Sequence, residues 1–265
     1  FRKKVRVVSL NETKDPILTL NNYSLKIEDK LILSDINLKI YPGEIILFYG
    51  PRNSGKSSLL RTFAHLNEEL YNHVKGGGDL LYNGKDMRKM DRKFLRSQIT
   101  YCDTSFVENL NFLTLNELLK ISIDLKIKDL TKEHFETLEK LGISHIFANN
   151  ESIKYYKNLS NWSIGEKISL ITFLALARNP RIFIFDSILD HLDDYLLRQV
   201  KALFASIKEN ITLMVSTRNI ALFSDMAEKI ALIDKGKLEY YGSITKFMLN
   251  FPKQILNSEN IEEIP

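Results

Sequence analysis

Eight residues do more than any others to limit what this chain of 265 residues can fold into. Gly50-Pro51-Arg52-Asn53-Ser54-Gly55-Lys56-Ser57 fits the phosphate-loop pattern G-x-x-x-x-G-K-[ST] at every fixed position. The glycines let backbone N–H groups curl around a phosphate, and a following helix points its positive end at the anion. Lys56 is expected to reach the outer phosphates and the Ser57 hydroxyl to ligate Mg²⁺, with Asn53, Ser54 and Ser58 completing the cradle. A random chain of this length would carry the pattern about once in a hundred. Here the flanks agree with it: Glu44–Tyr49, E-I-I-L-F-Y, is an apolar run of strand length, and Ser57–Leu66 has a helical pattern. A strand, loop and helix in that order predict a nucleotide site in an α/β fold.

The rest of the chain supports that class. Pro16–Ile40 alternates apolar and polar residues, which predicts short, half-buried antiparallel strands. Gly76-Gly77-Gly78 and Asn83-Gly84 are expected to punctuate a further strand pair. From about Asn109 to Tyr156 the text is helical, with Leu115, Leu118 and Leu119, then Phe135, Leu138 and Leu141, at helical spacing. Arg181–Phe185 and Ile211–Val215 are continuous apolar runs of the kind buried on both faces of a parallel sheet. The expectation is a P-loop NTPase core with a parallel sheet, an N-terminal antiparallel β subdomain and an α-helical insert. We expect one domain over 16–250, with the helical subdomain at about 106–165, a basic arm at 1–15 and a polar tail at 251–265.

Further motifs lie downstream in a fixed order. Arg181-Ile182-Phe183-Ile184-Phe185-Asp186 is an apolar strand ending in the carboxylate expected on the magnesium side. Before it come Trp162-Ser163-Ile164-Gly165-Glu166 and Ala175-Leu176-Ala177-Arg178-Asn179-Pro180; after it comes Asp190-His191-Leu192-Asp193. With these motifs the chain resembles the ATP-binding subunit of ABC transporters over roughly Ile17 to Gly242. The resemblance aligns W-S-I-G-E with the family's signature loop, L-S-G-G-Q. Ser163 and Gly165 are kept, Glu166 stands for Gln, and Ile164 replaces the first glycine. Leu159-Ser160 lies three residues out of that register. Within the family, Leu59–Met87 and Thr217-Arg218-Asn219 most resemble the phosphate-import branch.

Where the chain departs from the family, the changes share one consequence. Family members carry Glu directly after the magnesium-side Asp to polarise the attacking water; here that position is Ser187, and a neutral hydroxyl is no general base. The family's Gln that touches Mg²⁺ and water falls at Thr104, and Gln98 lies too early. The switch His is Arg218, either a fixed cation toward the γ-phosphate or a structural arginine. The residue at the adenine-stacking position is Ile27, with Tyr23 on the same strand face. The phosphate cradle is intact while three water-handling positions have changed, so we expect binding of ATP and Mg²⁺ with poor hydrolysis.

What the resemblance implies about partners follows from its head-to-tail pairs, in which each nucleotide lies between one subunit's phosphate loop and the other's signature loop. We expect a second ABC ATPase subunit, with an asymmetric heterodimer as the working expectation and a homodimer as the alternative. We also expect transmembrane permease subunits docking on the helical insert, near Asp103–Asn111. Composition bounds this picture. No apolar run approaches the ~20 residues of a spanning helix, and no apolar h-region follows Arg2, Lys3, Lys4 and Arg6. The expectation is therefore a cytoplasmic, peripheral subunit on the inner face of the membrane. One cysteine, Cys102, excludes an internal disulfide. A net charge of +4, from 37 basic and 33 acidic residues, argues against nucleic acid. The five histidines show no ligand spacing. A non-catalytic nucleotide-binding scaffold in another assembly is the alternative function.

Overall fold

In a computed structural model, which describes residues 15–148 and 150–250, the chain forms two sheets, and the alternation of its N-terminal residues builds the first. Strands β1 (Leu18–Ile27) and β2 (Lys30–Ile40) pair antiparallel, burying Leu20, Tyr23, Leu25 and Ile27 from one, and Leu33, Ile36, Leu38 and Ile40 from the other. The next strand, β3 (Ile45–Tyr49), is buried at all five positions, as its unbroken apolar text requires. It feeds the phosphate loop, which opens helix α1 (Lys56–Phe63). The short α2 (Asn67–Leu70) leads to β4 (Val74–Tyr82), which pairs with β1, and then to β5 (Lys85–Asp86). The first sheet thus has the order β2-β1-β4-β5.

Asn83-Gly84 forms the two-residue turn between β4 and β5, as expected. The three glycines at 76–78 do not punctuate: they lie inside β4. The aromatic ring of Tyr23 sits against Gly76, where a Cβ would come 3.0 Å from the hydroxyl. Gly78, at φ +77°, sits beside the register shift opposite Asn21–Ser24. Close approach and a bulge, not chain reversal, explain the run.

The chain then passes through α3 (Arg92–Gln98) into β6 (Ile99–Asp103) and the helical insert. That insert comprises α4 (Thr104–Asn109), α5 (Leu115–Ile123), α6 (Lys132–Lys140) and α7 (Asn150–Tyr155). A backbone bridge between Thr114 and Asn158 ties its two ends together. Helix α8 (Ile164–Ala177) is buried from Lys167 to Ala175, which explains its nearly uninterrupted apolar text. It delivers the chain to β7 (Ile182–Asp186). Helix α9 (Asp194–Ile207) is amphipathic, burying Leu196, Leu197, Val200, Leu203 and Phe204, and is capped by Asp193. Strands β8 (Thr212–Ser216), β9 (Lys229–Asp234) and β10 (Lys237–Ser243) and helix α10 (Ile244–Asn250) complete the described chain.

The second sheet runs β10-β9-β3-β8-β7-β6, parallel except for β10 at its edge. One core lies between this sheet and the helical insert; the other packs α1 between the two sheets. A mostly parallel α/β sheet, an antiparallel subdomain and a helical insert are all present, as expected. Nearly all of the basic arm, through residue 14, and the polar tail from 251 lie outside the described residues.

Candidate functional site

Parallel strands put their carboxyl ends on one edge, and this edge collects the motif residues. Register sets a row across the sheet: Phe48 lies beside Ser216, Ser216 beside Asp186, and Asp186 beside Asp103. The phosphate loop leaves the same edge after β3.

The loop's shape comes from backbone angles that few residues adopt. Gly50 has φ +147°, Asn53 +60° and Gly55 +104°. A Cβ on Gly50 would lie 1.9 Å from the Ile233 carbonyl oxygen, and one on Gly55 would crowd Leu33 at 3.0 Å. The Gly236 N–H donates to the Ser54 carbonyl at 2.8 Å, so the β9–β10 turn braces the loop from outside. Lys56 is buried and folds back, its Nζ donating to the carbonyls of Gly50 and Pro51 at 2.7 Å each and lying 3.3 Å from Ser54 Oγ. Burial lowers its pKa; Arg218 adds to that shift while Asp186 and Asp190 oppose it. Ser57 and Ser58 stand half-buried on the first turn of α1, and Asn53 is exposed.

Asp186 ends β7 at 4 % exposure. Its Oδ2 accepts a hydrogen bond from the Tyr101 hydroxyl at 2.8 Å, while its Oδ1 is buried and takes no hydrogen bond from the described residues. A buried carboxylate oxygen without a donor is costly unless something binds it. A hard cation would meet that need, and the Ser57 hydroxyl and Asp186 carboxylate are oxygen donors of the kind Mg²⁺ takes. The residues present therefore fit the group the motifs imply.

The three positions to which the resemblance assigns the handling of water lie along the same edge. Ser187 sits at φ +57°, its N–H bonded to the Ser216 carbonyl at 3.0 Å and its Oγ 3.2 Å from Ser216 Oγ. Thr104 opens α4, directly after Asp103 caps it. Arg218 is exposed; its backbone N–H donates to Asp190 Oδ2 at 3.0 Å, and the neighbouring Thr217 hydroxyl donates to Asp190 Oδ1 at 2.6 Å. Asp190, in the loop after β7, thus anchors the segment carrying Arg218.

Ile27 ends β1 with 8 % exposure and packs into the second core, while Tyr23 is fully enclosed there. At the signature loop, Ser163 caps α8: its Oγ accepts from the Glu166 N–H at 3.2 Å, and the Glu166 carboxylate accepts from the Ser163 N–H at 2.8 Å. Glu166 also meets His145 at 3.1 Å. Gly165 has a packing reason of its own, since a Cβ would come 2.4 Å from the Leu196 side chain of α9. Ile164 is 57 % exposed at the helix start. Leu159, three residues out of the signature register, is fully buried.

Sequence reasoning missed Tyr101, Arg61 and Asp103. Tyr101 and Asp103 alternate with the buried Cys102 along β6, so period two places them on one face. Nothing local says which strand that face adjoins.

With the geometry in place, comparison with known proteins gives a consistent result. The family model for ABC transporters matches residues 33–189, more than half of the chain. Among curated relatives, a methionine import ATP-binding protein of Clostridium acetobutylicum is 28% identical over 88% of this chain and 71% of its own length. A phosphate import ATP-binding protein of Streptococcus mutans is 27% identical, covering 91% of this chain and 95% of its own length. A glutamine transport ATP-binding protein of Escherichia coli is 26% identical, covering 91% and 97%. The phosphate branch is thus one of several at similar distance. Among solved structures, a bacterial Atm1-family ABC exporter with ATP bound superposes with a TM-score of 0.74 at 18% identity. This chain aligns over 93% of its own length but spans only 42% of that exporter chain, and the likeness concerns the fold. Motif order, sheet topology and family match agree, and the chain belongs to the ABC transporter family.

Proposed function

We propose that this chain is the ATP-binding subunit of a membrane transport complex that holds Mg-ATP firmly and hydrolyses it slowly at its own site. One observation carries the reading. The phosphate cradle and Asp186 are intact, while Ser187, Thr104 and Arg218 occupy the positions that would handle the attacking water. When bound, Mg²⁺ neutralises charge that develops on the phosphates. Lys56 and the α1 N-terminus bind and orient the phosphates, and Asp186 and Ser57 hold the metal side. Arg218, exposed and repelling Lys56, supplies a second cation on that edge. Ser187 offers no base, and its hydroxyl is engaged with Ser216.

The relatives named for methionine, phosphate and glutamine transport support the transport reading. Among the described residues no helix is long and apolar enough to cross a membrane, so a span would come from permease subunits. Phe106 and Phe112, the latter 87 % exposed, sit on the insert where such subunits would dock. In that complex the chain sits on the cytoplasmic face. Its own signature loop departs from the family too, through the exposed Ile164 and a Glu166 carboxylate held by His145 and the Ser163 N–H. In a heterodimer a partner ATPase with its own Glu and His would supply the turnover, with the retained Ser163 and Gly165 of this chain covering that nucleotide. The second reading, a nucleotide-stabilised scaffold, draws on the same Ser187 and Arg218.

Equilibrium binding and ATPase assays on the purified chain test this. Mg-ATP should bind, Lys56→Ala should abolish binding, and turnover should fall well below the ordinary 1–10³ s⁻¹, by about 10²–10⁴-fold. Ser187→Glu should raise turnover at least about tenfold. Ordinary turnover in the unaltered chain, or failure to bind Mg-ATP, refutes the reading.

A further inference from the structure

We propose that Tyr101, braced by Arg61, is a positioning residue that orients the Asp186 carboxylate toward the metal. The inference rests on the nucleotide reading of this site and extends it to residues outside the motifs.

A phenol has one proton to give. The Tyr101 hydroxyl lies 2.8 Å from Asp186 Oδ2 and 3.4 Å from Asp103 Oδ2, so the proton goes to Asp186. Arg61 Nε donates to the same hydroxyl oxygen at 3.1 Å, which strengthens it as a donor by polarisation. The Arg61 guanidinium is itself held by Asp103 at 3.5 Å and the Tyr71 hydroxyl at 3.3 Å.

The placement of these groups gives the contact its consequence. Arg61 follows Ser57 by four residues on α1, one turn along the same helix. The chain Arg61–Tyr101–Asp186 therefore joins the helix that carries one metal-side oxygen to the strand that carries the other. With Oδ2 occupied, the buried, undonated Oδ1 is the oxygen left to face a cation. Turning the carboxylate away would break the 2.8 Å bond and strand both oxygens in a buried setting.

Partners that orient a metal ligand typically change metal affinity about 10–100-fold when removed. The test is a Mg²⁺ titration of fluorescent mant-ATP binding to the full chain, with parallel titrations in EDTA. Tyr101→Phe should raise the half-saturating Mg²⁺ concentration about tenfold or more and leave Mg-free binding unchanged. Arg61→Gln should shift the Mg²⁺ curve the same way by a smaller factor. Asp186→Asn should abolish the Mg²⁺ dependence, and adding Tyr101→Phe to it should do nothing further. Superimposable Mg²⁺ curves for Tyr101→Phe and the unaltered chain overturn the proposal. So does a proportional loss of Mg-free binding, which would mark Tyr101 as merely structural. If the unaltered chain binds no mant-ATP in either condition, the nucleotide reading itself fails and takes this inference with it.

Discussion

Replacing Gly50 by alanine tests whether the phosphate loop is held by tertiary contact as well as by its own sequence. The new Cβ would sit 1.9 Å from the Ile233 carbonyl oxygen, more than an ångström inside any real contact, and 3.2 Å from Ser54 Oγ. The obstacle is backbone in β9, the strand paired with β3, so no side-chain rotation relieves it. The residue also sits at φ +147°, where an L side chain is strained. Backbone strain of about 1–3 kcal/mol and overpacking of about 1–3 kcal/mol sum to roughly 2–6 kcal/mol. For a domain of this size each kcal/mol shifts the midpoint by about 2–4 °C, so Tm should fall by roughly 4–24 °C. ATP binding should weaken as well, because the Gly50 carbonyl that anchors Lys56 must move. Gly77→Ala provides the internal control. Gly77 lies in β4 at an ordinary φ, and nothing comes within 4 Å of where its Cβ would stand, so that change should be neutral or slightly stabilising. Thermal unfolding by circular dichroism reads both variants. A Gly50→Ala midpoint within about 2 °C of Gly77→Ala would refute the reasoning.

The two remaining predictions concern protons. On the nucleotide reading proposed above, Lys56 would bind phosphate only when protonated, and burial lowers its pKa below the ordinary 10.5. ATP affinity should therefore begin to decline at lower pH than an ordinary lysine would titrate; an affinity that holds until the pH passes the ordinary 10.5 contradicts it. Cys102 is fully enclosed between sheet and insert, and burial pushes its thiol well above the ordinary range. It should resist a thiol reagent at mildly alkaline pH in the folded chain and react promptly in denaturant, which absorbance of the released chromophore measures.

Much of the site was legible because its parts are local. The phosphate loop is eight consecutive residues, the strand before it is apolar on both faces, and Ser163 and Glu166 form a capping box within a single turn. The glycine run at 76–78 misled because its cause is not local. Gly76 is small for the ring of Tyr23, and Gly78 for the backbone of Asn21 and Asn22, which belong to another strand. Tyr101 was overlooked for the same reason: it meets Asp186 across 85 positions of sequence.

Local chemistry settled the backbone angles of the phosphate loop, the periods of strands and helices, the motif order and hence the family. Folding alone decided which strands adjoin. Setting β6 beside β7 turned an ordinary tyrosine into the partner of the buried Asp186 carboxylate. Setting β9 beside β3 left Gly50 no room for a methyl group. The physical reason is that a dihedral preference or a period is encoded within a few residues. The neighbour across a sheet is chosen by burial and hydrogen bonding summed over the whole domain.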